Sequence, residues 1–190
     1  MSENIIKEYQ LRLLNCLQPF DWSPVHKLAG DIFSAWKEGR HIFLCGNGGS
    51  AANAMHIAND FLYPPAKKDM KGLRVTALPS NQAVLTCLGN DIGYENIFSF
   101  QLETLGAKGD ILIALSGSGN SPNILNAINA AKRMGIKSYA ILGFNGGKCL
   151  SLADVSIHFP VNDMQIAEDL QLITGHMLMQ QFKAGAEEKR

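Results

Sequence analysis

The sequence predicts an α/β fold, a three-layer α/β/α sandwich around a five-stranded parallel sheet, with an N-terminal helical arm. Three observations carry this. From His41 onward, five short apolar runs, HIFLCG, LRVTALP, DILIALS, KSYAILG and VSIHFP, alternate with stretches long enough for helical crossovers. The runs are almost continuously apolar, as strands covered on both faces must be, and that pattern belongs to parallel sheets. Finally, 190 residues with 46% apolar side chains are enough for one sizeable core and no more. Residues 1–190 therefore read as a single domain: an arm over 1–40, an α/β core over 41–163 and a C-terminal helix over 164–183.

Each element has a local reason. In the arm, Ile6, Tyr9, Leu13, Cys16 and Leu17 recur at helical spacing, and Val25, Leu28, Ala29, Ile32, Phe33 and Trp36 form a second such group. Ser23 before Pro24 predicts an N-cap and first-turn pair, and Gly39 predicts the stop. Over residues 164–182, Ile166, Leu170, Ile173 and Met177 line one stripe, while Glu168, Leu172, His176 and Met179 lie broadly opposite. A helix apolar on two sides is not wet on one, so its second face is expected to meet another subunit or the N-terminal arm. The tail AGAEEKR is expected to fray.

Lys+Arg and Asp+Glu balance at 17 each, which removes any global attraction to nucleic acid or an anionic membrane. Apolar runs extend over only about five residues, against the roughly 20 of a bilayer span, and the first ten residues lack a basic region followed by an apolar run. A cytoplasmic protein is expected. Cys16, Cys45, Cys87 and Cys149 are scattered without a C-x-x-C pair and read as buried thiols.

Two loops carry chemistry. The first strand ends in GNGGSAANA, residues 46–54, where glycines let backbone N–H groups approach an anion and the next helix adds its positive end. Gly46-x-Gly48-x-x-Ala51 also satisfies a loose dinucleotide pattern, but the second strand ends Leu78-Pro79-Ser80 and lacks the acid that holds a ribose. No nucleotide cofactor is expected. The third strand ends in SGSGNSPN, residues 116–123, with three hydroxyls and two glycines before a helix. Ser121 reads as its N-cap and Pro122 as its first residue. Both loops lie at carboxyl ends of parallel strands, where open α/β sheets bind ligands. The plainer reading is serines used only for turns and caps.

These residues resemble the sugar isomerase (SIS) domain family, and within it the phosphoheptose isomerases. The resemblance rests on CGNGGSAANAMH at 45–56, GND at 89–91, SGSGNS at 116–121, GGK at 146–148 and a final helix bearing Glu168 and His176. It implies the SIS fold, which is flavodoxin-like. It also implies an aldose–ketose isomerase that interconverts sedoheptulose 7-phosphate and D-glycero-D-manno-heptose 7-phosphate through an enediol, working as a homo-oligomer, most simply a tetramer. By the same resemblance Asn47, Gly48, Gly49, Ser50, Asn90 and Asp91 contact the sugar phosphate, and Ser116, Ser118 and Ser121 hold its phosphate. Gly117 stands where many relatives have threonine, so backbone N–H replaces a hydroxyl.

Four further positions are implied to carry catalysis or zinc. Where relatives have histidine and glutamate four residues apart, this chain has His56 and Asp60; where they have glutamine and histidine eight apart, it has Glu168 and His176. All four are competent zinc ligands. However, Glu168 and His176 are separated by about 12 Å along an ideal helix, so one ion shared by all four needs a bent helix or two subunits. Enolisation needs a carboxylate base and an acid for the oxygens. Asp60, or Glu168 in its place, is expected as the base, with His176 as the acid/base partner. The readings from other classes are a non-catalytic SIS module binding a sugar phosphate or a protein partner, and a deacetylase or lyase of an amino-sugar phosphate.

Overall fold

The computed structural model describes residues 3–63 and 71–187. Two helices, α1 (Glu3–Leu17) and α2 (Ser23–Glu38), precede β1 (His41–Cys45). Then follow α3 (Gly49–Leu62), β2 (Arg74–Ala77), α4 (Gln82–Asp91), α5 (Ile97–Leu105), β3 (Ile111–Ser116) and α6 (Pro122–Met134). The chain ends through β4 (Lys137–Leu142), α7 (Cys149–Leu152), β5 (Val155–His158) and α8 (Met164–Glu187). All five strands pair in parallel, in the order β2-β1-β3-β4-β5.

Both faces of the sheet are covered, which accounts for the unbroken apolar runs. Ile42, Leu44, Ile113 and Ile141 face α2, α3 and α8, whereas Phe43, Cys45, Leu112 and Ala140 face α5 and α6. Successive residues point to opposite sides, so every position is under selection for apolarity. The last helix takes the second of the two neighbours expected for it: Phe182 packs edge-on to Trp36 of α2 at 5.3 Å, and Tyr9 of α1 donates to Asp169 at 2.5 Å. Arg12 of α1 pairs with Asp163, which also accepts from the Ile166 N–H in the first turn of α8.

Three local expectations change. Ser23 is not a cap: the helix begins on it, Trp22 holds the cap position, and the Ser23 hydroxyl donates to Asp21 at 2.7 Å. Cys87 is exposed, and Cys16 half-buried, because both sit on outward-turned parts of α4 and α1; only Cys45 and Cys149 are fully buried. All four thiols are free. Gly39 does end α2, in the left-handed conformation at φ 66°. The sequence also places FLYPPAKKDMKG, residues 61–72, at the sugar pocket or its rim, but 64–70 lie outside the described residues, as do 188–190; residues 184–187 of the tail continue α8. Among the described residues no helix is long and apolar enough to cross a membrane.

Candidate active site

Strand order places the two loops. β1 and β3 are neighbours, with Cys45 opposite Ala114, yet their crossovers leave in opposite directions. The sheet therefore opens at its carboxyl edge between residues 46–50 and 116–121, the switch point where ligands of this strand order bind.

The first loop is tight. A Cβ on Gly46 would lie 2.5 Å from the Ser50 carbonyl oxygen, so only glycine lets α3 turn back so soon, and Gly48 precedes the helix at φ 54°. Asn47, between them, exchanges two hydrogen bonds with Asn123 in the first turn of α6, at 2.8 and 2.9 Å, and accepts a third from the Tyr94 phenol at 3.0 Å. Asn123 and Tyr94 were not singled out from sequence, although Asn123 closes the SGSGNSPN run and Tyr94 follows GND by three residues. Asn90 and Asp91 are exposed at the end of α4, with the Asn90 amide donating to Asp91 at 2.8 Å.

The second loop uses some of its hydroxyls on itself. Ser116 accepts from the Gly119 N–H at 3.0 Å and Ser118 from the Asn120 N–H at 3.3 Å. Ser121 holds the cap position of α6 in an extended conformation but makes no side-chain cap bond, so its hydroxyl is spared for a ligand. A Cβ on Gly117 would meet the Met164 sulfur at 2.7 Å; the space of the missing threonine is filled by that thioether. The GGK segment braces the loop from behind. Cys149 N–H donates to Gly119 O at 3.0 Å, Lys148 N–H to the Asn120 side chain at 3.1 Å, and a Cβ on Gly147 would strike Ser118 O at 2.5 Å.

Helices α3 and α8 bring three side chains together. Gly175 has no Cβ; one placed there would lie 2.5 Å from Ile57 Cγ1, so the two helices approach closely at this residue pair. Their next-door residues, His176 and His56, consequently meet with Nε2 atoms 3.0 Å apart. One turn along α3, Asp60 Oδ2 lies 3.5 Å from His56 Nε2 and 3.7 Å from His176 Nε2. Each His side chain is half exposed and Asp60 largely covered. The two rings cross edge-on.

Glu168 stands apart from this trio. Two turns back on α8, its carboxylate lies over Gly49, where a Cβ would be 2.3 Å from either oxygen. That is the positive end of α3, where an anion is favoured, and eight residues of helical rise explain why it does not reach His176. The four-residue ligand set thus resolves into His56, Asp60 and His176, the group among the described residues whose ligand atoms cluster, plus a separate carboxylate. Asn53 of α3 holds this stretch of α8, donating to Glu168 O at 2.9 Å and to the Gln171 side chain at 3.2 Å.

The trio fits a zinc ion. Two imidazole nitrogens and one carboxylate oxygen are an ordinary zinc donor set, and their separations of 3.0, 3.5 and 3.7 Å bring them together at one place. Without an ion, the same contacts make one hydrogen bond between the rings, one Nε2 protonated and the other accepting. Two hollows of about 690 and 640 Å³ lie elsewhere, along α4–α5 and α5–α6. A third, of about 460 Å³, is lined by Ser118 and Asn120 of the second loop together with Phe144, Asn145, Pro160 and Asn162.

Comparison with known proteins follows this geometry. The SIS domain model matches residues 8–143. The chain is 37% identical to the phosphoheptose isomerase of Aliarcobacter butzleri over 183 residues, covering 95% of this chain and 96% of that one. It is 41% identical to that of Clostridium acetobutylicum over 147 residues, covering 77% and 74%. Among solved structures it is similar to phosphoheptose isomerases from Francisella tularensis (TM-score 0.89, 25% identity) and Neisseria gonorrhoeae (TM-score 0.86, 26% identity). Each comparison covers 96% of this chain and 98% of the other. With its parallel sheet, its paired strand-end loops and these relatives, the chain belongs to the SIS domain family and, within it, to the phosphoheptose isomerases.

Proposed function

We propose that this protein is an aldose–ketose isomerase that converts sedoheptulose 7-phosphate into D-glycero-D-manno-heptose 7-phosphate. The observation that carries the reading is the convergence of Asp60 and His176, from separate helices, in a chain whose two strand-end loops form an uncharged cradle for a phosphate. Ser116, Ser118 and Ser121, with the backbone of residues 117–121, take the phosphate. Asn47, Gly48, Gly49, Ser50, Asn90 and Asp91 contact the sugar.

The chemistry asked of the side chains is modest. Asp60 takes the proton from the carbon beside the carbonyl, while His176 gives a proton to the carbonyl oxygen, which yields an enediol. His176 then takes the proton from the other hydroxyl, and Asp60 returns its proton to the adjacent carbon. No atom is gained or lost. His56, in contact with both, orients the pair. Glu168 of α8, over Gly49, is a carboxylate beside the sugar-binding loop; in this reading it shapes the substrate end. Zinc would be held by His56, Asp60 and His176 and would supply Lewis-acid stabilisation of negative charge on a substrate oxygen. When Asp60 is bound in this way, Glu168 is the carboxylate left for the carbon proton.

The reading extends to a cytoplasmic homotetramer with sites completed at subunit boundaries. Its support is the free thiols and the exposed apolar side chains of α1.

One experiment tests the whole reading. Sedoheptulose 7-phosphate is incubated with the protein in deuterium oxide and followed by NMR, before and after chelation and with metal analysis of the unchelated protein. We expect a new heptose phosphate carrying deuterium beside the carbonyl; bound zinc with loss of turnover on chelation assigns the carbon proton to Glu168, and turnover without metal assigns it to Asp60. Asp60→Asn is expected to lower turnover at least about 100-fold, as base or as zinc ligand, and Glu168→Gln to retain it only where turnover needs no metal. No new sugar and no exchange would leave a binding module; an active Asp60→Asn would transfer the base to Glu168; metal-free protein at full activity would remove zinc.

A further inference from the structure

We propose that Asn123 and Tyr94 are positioning residues that set the amide of Asn47, so that it meets the substrate as a hydrogen-bond donor and ties together the two cradle loops. The inference deepens the isomerase reading and rests on it for the identity of the substrate.

Asn47 comes from the loop after β1 and Asn123 from the helix after β3, 76 residues away, on opposite sides of the crevice. Asn123 is only 1% exposed, so its amide has to find its partners inside the protein. It finds them in Asn47: each Nδ2 donates to the other's Oδ1, at 2.8 and 2.9 Å, closing a two-bond ring. The Tyr94 phenol then donates to Asn47 Oδ1 at 3.0 Å.

Counting valences gives the consequence. A carboxamide oxygen accepts two hydrogen bonds and its nitrogen donates two. Both acceptor sites of Asn47 Oδ1 are taken, by Asn123 and Tyr94, and one of its two N–H groups is taken by Asn123. A single N–H remains. If both amides turned over together the ring would keep its two bonds, but Asn47 would then offer a lone pair at the free position, and Tyr94 would have to accept. A sugar phosphate and the oxyanion of an enediolate present oxygens, for which a donor is complementary and a lone pair repulsive. Tyr94, by donating, selects the useful orientation before substrate arrives. Tyr94 also carries the GND segment, three residues upstream, to the first loop.

The test is a set of double-mutant cycles on sedoheptulose 7-phosphate, read as kcat and KM for isomerisation and as Kd by calorimetry. Tyr94→Phe is expected to lower kcat/KM about 3- to 10-fold and Asn123→Ser about 10- to 100-fold. In an Asn47→Ala background each should cost less than about 2-fold more, because both act through the group already removed. A merely structural role predicts the opposite, equal losses in both backgrounds, and that result, or unchanged single variants, would overturn the proposal. Tyr94→Phe removes a hydroxyl from a 60% exposed side chain, which keeps the test valid where Asn123→Ser folds poorly. If wild-type protein binds the sugar phosphate without converting it, the isomerase reading fails while the cycles read from Kd still judge the amide lock.

Discussion

Asp31 of α2 shows how one side chain can join the arm to the sheet. It accepts from the buried Tyr139 phenol and pairs with Lys137 Nζ at 2.5 Å, both residues of β4. Burial pushes its carboxyl up, but the hydrogen bonds from Lys137 and Tyr139 outweigh this and hold it below the usual carboxylate range. Lys137 is raised, chiefly by its bond to Asp31, and Tyr139 is pushed well above its ordinary value by burial and then by Asp31. The signs decide the pH windows. A lowered carboxylate stabilises fully above its unfolded pKa of about 3.9 and loses that contribution as pH falls through the folded value. A raised lysine stabilises below about 10.4 and loses its share as pH rises through the folded value. Asp31→Asn should therefore cost about 1–2 kcal/mol at neutral pH, lowering Tm by about 2–8 °C. The gap should hold down to about pH 4 and narrow below it; equal melting at pH 7 would remove this role. Closer to the site, burial raises both Cys45 and Cys149, the latter to about 11, so these thiols pack the loop bases and stay inert.

At the scale of elements, the meeting of α3 and α8 determines whether the site exists. α8 is readable from apolar periodicity and α3 from its place after the glycine loop, and His56 with Asp60 at i, i+4 share a face on sequence grounds alone. That His176 completes the group depends on Gly175, whose missing Cβ lets Ile57 of the facing helix come close. An added methyl must push the helices apart, at about 1–3 kcal/mol for overpacking. Gly175→Ala is expected to lower turnover more than about 10-fold, since a displacement near 1 Å suffices for that, and Gly175→Ala with Ile57→Ala should recover much of it. Kinetics of the single and double variants check this; a fully active Gly175→Ala would mean that the close approach does not set the trio. The same pair of helices separates Glu168 from the trio, because α8 advances about 12 Å between residues 168 and 176.

For the whole molecule, the faces left open matter as much as the core. On α1, Ile5, Ile6, Leu11 and Leu14 are 47–67% exposed while Tyr9 and Leu13 pack on the domain, so the helix has a second apolar side. The proposed tetramer would cover such surface, and light scattering coupled to size exclusion should then give about four times the chain mass. Replacing Ile6 and Leu11 with Lys should shift it to smaller species with lower activity; a monomer at full activity would show the site complete in one chain.

By itself the sequence determined what local rules control. Five strands, their crossovers and the two glycine- and serine-bearing loops were legible because apolar runs, helix stops and turn glycines act within a few residues of themselves. Parallel crossovers put both loops on one edge of the sheet, but the strand order that makes β1 and β3 neighbours, and with it the crevice, came from the fold. Ser23 misled because Asp21 competes for its hydroxyl two residues away, and Cys87 because burial depends on which way α4 faces. The tertiary structure alone decided which side chains touch: His56 with His176 across 120 residues, Asn47 with Asn123 across 76, Glu168 with Gly49. Such contacts turn on differences of about 1 Å between packed helices and loops, and no periodicity in a chain encodes a distance between residues that only folding brings together.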